Sequence, residues 1–200
     1  MIKQATTEHP IQELLAIRWS PYAFDSRPVS KADIQSLFEA VRWAASSYNE
    51  QPWRYLVATQ DEPEEFAKLL SCLVEPNQAW AKAAPLLAIS VASLNFQLNG
   101  KPNKAAIHDL GLAAGSLTLE ATARGLAVHQ MIGIVPERVR ELYGIPDGYE
   151  AVTGLAIGYV GDPKRLPEKL SARDLAPRTR KGLREFVFSG QWGRVSELVT

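Results

Sequence analysis

Hydrophobic positions in this chain switch between helical and strand spacing, with polar breaks between. Ile11, Leu14 and Leu15 share one face of a helix expected over residues 10–17, opened by Pro10. That helix has to end near "RWSP", because a residue before proline resists helical geometry. Ile34, Leu37, Phe38 and Val41 follow at helical spacing behind Ser30, a ready N-cap, with Asp33 placed to complete a capping box. Ser46, Ser47, Asn49 and Pro52 break the pattern, and "WRYLVAT" (53–59) then reads as a strand. Helical spacing returns from Pro63 over 63–73, and 76–85 is a loop or short helix. "PLLAISVA" (85–92) is an apolar strand of the kind covered on both faces. Asn, Gly and Pro make "NFQLNGKPN" (95–103) a loop.

The longest helix is expected over 104–124, stopping at Gly125. Its Ile107, Leu110, Ala114, Leu117 and Ala121 lie three and four apart, and Gly111, Ala113, Ala114 and Gly115 thin its middle. Small residues there admit a close neighbour, either within one core or across a subunit interface, and the sequence leaves both open. "LAVHQMIGI" (126–134) is a third strand leading into a loop, "PERVRELYG" (136–144) a short helix with Pro136 in its first turn, and "AVTGLAIGYVG" (151–161) a fourth strand. From Pro163 to Arg184 eight basic residues face only two acids, Glu168 and Asp174, and Pro163, Pro167 and Pro177 favour an extended tail over one long helix. Helices mixed with four or five strands make an α+β or three-layer αβα domain.

Composition narrows the function classes. Two hundred residues suit one domain over 1–200, and 46% hydrophobic residues can fill a sizeable core. A formal net charge of zero argues against a global nucleic-acid binder and leaves room for a local anion site. Cys72 is the only cysteine, so no internal disulfide forms, which fits a reducing compartment. Its setting in an amphipathic helix reads as a small buried thiol. The first twenty residues lack an apolar run of signal-peptide length, and no stretch of about 18 uncharged apolar residues occurs to span a membrane. A cytoplasmic protein is the expectation.

Several chemistries lack their equipment. No G-x-G-x-x-G, P-loop or G-x-S-x-G motif is present. His9, His108 and His129 lie far apart, and His108 and Asp109, adjacent on a helix, point about 100° apart, so no metal centre is expected. With no side chain singled out as catalytic, an enzyme with this inventory would rely on an organic cofactor.

Three segments carry a resemblance: "IRWSPYAF" (17–24), "RWAASSYNEQPWRYLVAT" (42–59) and "PRTRKGLREFV" (177–187). Together they resemble the flavin-binding framework of the nitroreductase-like family of FMN-dependent NAD(P)H oxidoreductases. The resemblance implies a three-layer αβα fold with a mainly antiparallel central sheet. It also implies an intertwined homodimer, in which the segment 163–200 wraps the partner subunit and two FMN sites lie at the interface. On that likeness Arg18 and Ser20 hold the phosphate and ribityl end, Trp19 contacts flavin through its backbone, and Arg178 and Arg180 add phosphate contacts, forked cations suiting a dianion. Lys181 and Arg184 are expected to be solvated, and Tyr22 stands where many relatives have a basic residue. Ala45, where relatives often have proline, joins Ser46, Ser47 and Asn49 in touching the ring across the interface, while Gln51, Pro52 and Trp53 are structural. Asn77 faces the pyrimidine edge. Gly133 points its backbone N–H at flavin N5, and Ile132 beside it, a further cofactor contact, replaces a frequent glutamate. Asn103 and His108, bordering the loop 95–109, are candidate substrate contacts. The implied reaction is ping-pong hydride transfer from NADPH or NADH through FMN to a nitroaromatic, quinone or similar small acceptor. Alternatives are a specialised family chemistry (dehalogenation, azoline oxidation or flavin fragmentation), a flavin protein without turnover, and a partner-binding module using the basic tail.

Overall fold

Four aliphatic and β-branched segments make one antiparallel sheet: β1 Trp53–Thr59, β2 Leu86–Ser93, β3 Ala127–Met131 and β4 Tyr149–Gly158, in the order β1-β2-β4-β3. The structure, a computed structural model, describes residues 3–200, so residues 1 and 2 of the expected 1–200 domain lie outside the described residues. Strand β2 shows why the sheet is central. Leu86, Ala88 and Ala92 enter one core, and Leu87, Ile89 and Val91 enter another. Leu86, Leu87 and Ile89 are fully buried, each worth about 1.5–3 kcal/mol, so neither face of this strand can be left open.

Helices cover both faces and give the expected three layers. On one face lie α2 (Lys31–Arg42) and α5 (Ala106–Ala123), through Leu37, Val41, Leu110, Ala113, Leu117 and Ala121. On the other lie α3 (Pro63–Leu70), α4 (Glu75–Ala81) and α6 (Pro136–Tyr143), through Phe66, Leu69, Trp80 and Val139. Cys72 is buried there, as expected of a small core thiol. Helix α5 carries the chain from β2 past β4 to β3, and Gly125, at φ +72°, lets it turn back into the sheet. Among the described residues, no helix is long and apolar enough to cross a membrane.

Several element bounds differ from expectation for local reasons. The first helix, α1, spans only Glu13–Ile17. Gln12 is its extended N-cap, and Ile11 and Leu15 are exposed rather than forming a buried face. The helix expected over 63–73 stops at Leu70, because Leu73 peels away to make a β-bridge with Ile134. The third strand ends at Met131 and runs into the expected loop, and the fourth ends at Gly158, three residues before its expected end at 161. Ser30 caps α2 as expected, accepting the Asp33 N–H at 3.0 Å. The reciprocal half of the capping box is missing, because the Asp33 carboxylate accepts the Ser30 hydroxyl at 2.7 Å and Arg124 at 3.0 Å instead. The tail is not extended throughout: α7, Glu168–Leu175, forms inside it. Pro167 and Pro177 sit just outside this helix, so the prolines punctuate it rather than prevent it.

Candidate functional site

The two ends of the chain build one cationic cleft. Arg18 is the extended residue that ends α1, and Arg178 and Arg180 stand on the irregular segment after α7. They line a cleft of about 450 Å³ with Lys181, Thr6 and Thr7, and Glu8 is the acid in its lining. Lys181, expected to be solvated, is exposed and borders the cleft. Burial first, then the like charges of Arg178 and Arg180, holds the Arg18 pKa below the usual arginine range. Burial, then Arg180, does the same to Arg178. Three crowded guanidiniums are unfavourable alone and favourable around an anion, which is what a phosphate site requires. Arg178 is held by Nη1, which donates to the Lys3 carbonyl at 2.8 Å and to the Ala16 carbonyl. Arg18 Nη1 donates to Ser20 Oγ at 3.2 Å. Trp19 between them is buried, with Lys3 Nζ 4.7 Å above its ring.

Asp174, which spacing alone does not single out, underlies this arrangement. Its carboxylate accepts the Tyr22 N–H at 2.9 and 3.1 Å and the Ala23 N–H at 2.9 Å. Tyr22 does not enter the cleft. Its ring packs edge-on against Trp80 at 5.1 Å and against His129 at 4.7 Å. His129 Nδ1–H donates to the Pro21 carbonyl at 2.8 Å, and burial, outweighing that bond and the Asp174 charge, holds its pKa below the usual histidine range. The only sequence signal for Asp174 is an acid retained in a basic run.

A second cluster forms where the loop after β3 meets α4. The Gly133 carbonyl accepts the Val74 N–H at 3.0 Å and Asn77 Nδ2 at 3.1 Å, and Val135 N–H donates to the Cys72 carbonyl at 2.7 Å. Among the described residues, the Gly133 N–H itself donates to no protein group. A Cβ at Gly133 would lie 2.3 Å from Asn77 Nδ2 and 2.9 Å from Val74 Cγ2, so close approach demands the glycine. Ile132 beside it is 86% exposed. Asn77 and Gly133, predicted from separate segments, are thus in contact, with a free donor at their edge.

The turn before β1 is the third part. Tyr48, Asn49 and Gln51 adopt left-handed φ of 53°, 56° and 53°. Such residues cost roughly 1–3 kcal/mol each and persist only where surroundings hold them. Here buried Asp109 of α5 accepts the Ser47 N–H at 2.9 Å, and Ser46 Oγ accepts the Gln51 N–H at 3.1 Å. Asp109 was also invisible to spacing arguments. Pro52 and Trp53 lead directly into β1, and Trp53 is buried, as a structural role requires. No hydrogen bond among the described residues joins the 45–49 turn to the arginine cleft or to Gly133. Asn103 is buried: its Oδ1 accepts the Ala105 N–H at 3.0 Å at the start of α5, and its Nδ2 has no partner. That placement makes it a helix-start residue closed to a ligand, whereas His108, one helical turn on, is exposed.

Comparison with known proteins gives a consistent set of likenesses. The model of the nitroreductase family matches residues 15–159. A crystal structure described as an oxidoreductase containing FMN superposes with a TM-score of 0.88 at 35% identity, covering 94% of this chain and 95% of that one. The major NAD(P)H-flavin oxidoreductase of Aliivibrio fischeri is 28% identical over 191 residues, covering 76% of this chain and 88% of that protein. An uncharacterised 15.4 kDa protein of Mycolicibacterium smegmatis is 33% identical over 136 residues, 66% of this chain and 88% of its own length.

Proposed function

The chain belongs to the nitroreductase family, and from that premise we propose that it is an FMN-dependent oxidoreductase using NADPH or NADH and a small electron-poor acceptor such as a nitroaromatic or quinone. One observation carries the reading: Arg18, Arg178 and Arg180 converge in one cleft although they come from opposite ends of the chain. The phosphate of FMN is a dianion, and guanidiniums strained by burial and mutual repulsion gain most from such a group. The ring end is also accommodated, since the unpaired Gly133 N–H offers a fixed donor beside the Asn77 amide. The A. fischeri relative's name and the neighbour's bound FMN favour the same cofactor and donor.

Bound FMN would supply the redox chemistry that links NAD(P)H oxidation to reduction of the acceptor, in alternating half-reactions. The protein's own residues bind and orient. Arg18, Arg178 and Arg180 hold the phosphate, and Ser20 and the Trp19 backbone hold the ribityl end. Gly133 N–H and Asn77 fix the ring edge, while Ile132 offers an apolar side chain to the acceptor. Ser46, Ser47, Asn49 and the Ala45 backbone of the partner subunit complete the ring side, because the turn that carries them is held rigid yet joined to nothing in its own cleft. The homodimer follows from the same reasoning, with 163–200 wrapping the partner through exposed Phe186 and Trp192. Solvent supplies the protons, so no side chain is an obligatory acid.

The test is the visible spectrum of the purified protein, followed by NADPH and NADH in separate anaerobic cuvettes. Oxidised flavin bands that bleach on mixing are expected, and the faster donor identifies the preference. A protein that stays colourless after incubation with FMN would overturn the cofactor. A yellow protein that neither donor bleaches would overturn the enzymatic reading and leave a flavin carrier. Gly133→Ala is expected to lose colour, since its Cβ displaces Asn77.

A further inference from the structure

We propose that Asp174 is the positioning residue of the arginine cleft: it docks the carboxyl-terminal tail onto the Tyr22–Ala23 backbone and so carries Arg178 and Arg180 to Arg18. The proposal deepens the FMN reading and rests on it for the flavin part of its test.

Helix α7 is held by half-buried Leu170, packed against the core, and by Asp174. Asp174 is its only buried residue, at 2% exposure, and Leu175 next to it is exposed. A docking helix normally buries an apolar stripe. Here the buried side chain is a carboxylate, which is costly away from water unless its oxygens are satisfied. Both oxygens are satisfied, and by backbone: Oδ1 and Oδ2 accept the Tyr22 N–H, and Oδ2 also accepts the Ala23 N–H. Ala23 is itself buried, so removing the carboxylate strands a buried donor. The neighbouring contacts point the same way. Lys3 Nζ donates to the Asp174 carbonyl at 2.7 Å, and Arg173 Nη1 donates to the Tyr22 hydroxyl at 3.2 Å.

Position in the chain converts this docking into function. Tyr22 lies four residues after Arg18, and Asp174 lies four residues before Arg178, so one clasp spanning 152 positions registers both halves of the cleft. Nothing ties Asp174 to the Gly133–Asn77 cluster by hydrogen bond among the described residues. Its loss should therefore weaken phosphate recognition and spare ring recognition.

Riboflavin, which has the ring without the phosphate, separates the two. Affinities of full-length wild type and Asp174→Asn for FMN and for riboflavin are measured by flavin fluorescence. Asparagine keeps the size but turns a donor toward an N–H. The variant is expected to lose about tenfold or more in FMN affinity and less than about twofold in riboflavin affinity. The ³¹P resonance of bound FMN should move toward its free position. Equal losses for both flavins, or an unchanged FMN affinity, would overturn the proposal and leave Asp174 a structural residue. If Asp174→Asn does not fold, Lys3→Ala loosens the same clasp from outside, and a few-fold loss confined to FMN is expected, equal or absent losses again being the contrary result. If the wild type binds neither flavin, the functional reading fails. Inorganic phosphate then decides this inference alone, through its ³¹P titration against wild type and variant.

Discussion

His129 is a neutral residue by position. Its ring is pressed between Tyr22 and Trp80, at 4.7 and 4.5 Å, and burial outweighs the Pro21 carbonyl and the Asp174 carboxylate, the groups that favour the cation. A depressed folded-state pKa means the unfolded chain takes the proton first. The stability His129 contributes is therefore complete above the ordinary histidine pKa of about 6.5 and is lost as pH falls from there through the folded value. Each unit of depression is worth about 1.4 kcal/mol. Denaturant melts between pH 8 and pH 5 should show wild type losing stability that His129→Phe does not lose, and parallel pH profiles would show that the imidazole contributes nothing. The residue scale also marks where sequence reading stops. Arg18, Arg178 and Arg180 were legible because a dianion calls for clustered forked cations and their segments resemble a known framework. Asp174, Asp109 and His129 were not, because each acts on backbone atoms distant in sequence, and neither spacing nor composition encodes such a partner.

Helix α5 illustrates what element-scale patterns can and cannot separate. Its thin middle allowed two readings, and the structure divides the residues between two faces. Ala113 and Ala114 are core, whereas Gly111 is exposed and a Cβ at Gly111 or Gly115 would meet nothing within 4 Å. Ile107 and Leu112 beside them are 46% and 43% exposed, an uncovered apolar strip. Gly115→Leu is therefore expected to leave the chain folded while weakening the proposed dimer, and Ala114→Leu to cost about 1–3 kcal/mol by overpacking. Light scattering and melting of the two variants check this. A dimer untouched by Gly115→Leu would remove α5 from the interface. The strand at 53–59 was legible to the residue because polar breaks bound it on both sides. Helix α7 was missed because its one fully buried side chain is a carboxylate and Leu170 adds a single half-buried apolar contact, so no apolar stripe announced it.

At the scale of the molecule, the layered core was readable from two apolar runs and a long helix, while the cleft was not, because it belongs to no single segment. The cleft should behave as a ligand-dependent brace. Any dianion that binds it only in the folded state stabilises that state by mass action, by about 2.7 kcal/mol at a hundredfold excess over Kd. Phosphate should raise the melting temperature of wild type and fail to do so for Arg180→Ala. An equal rise in both would place the anion elsewhere.

The bond from Arg178 to the Ala16 carbonyl closes a loop of 162 positions. Closing so long a loop costs chain entropy that only a finished sheet and its helices can offset beforehand. The cationic cleft is then among the last parts of the molecule to form during refolding. Cofactor capture would report completion of the fold rather than help to start it, and a half-folded chain would have little means of sequestering the dianion.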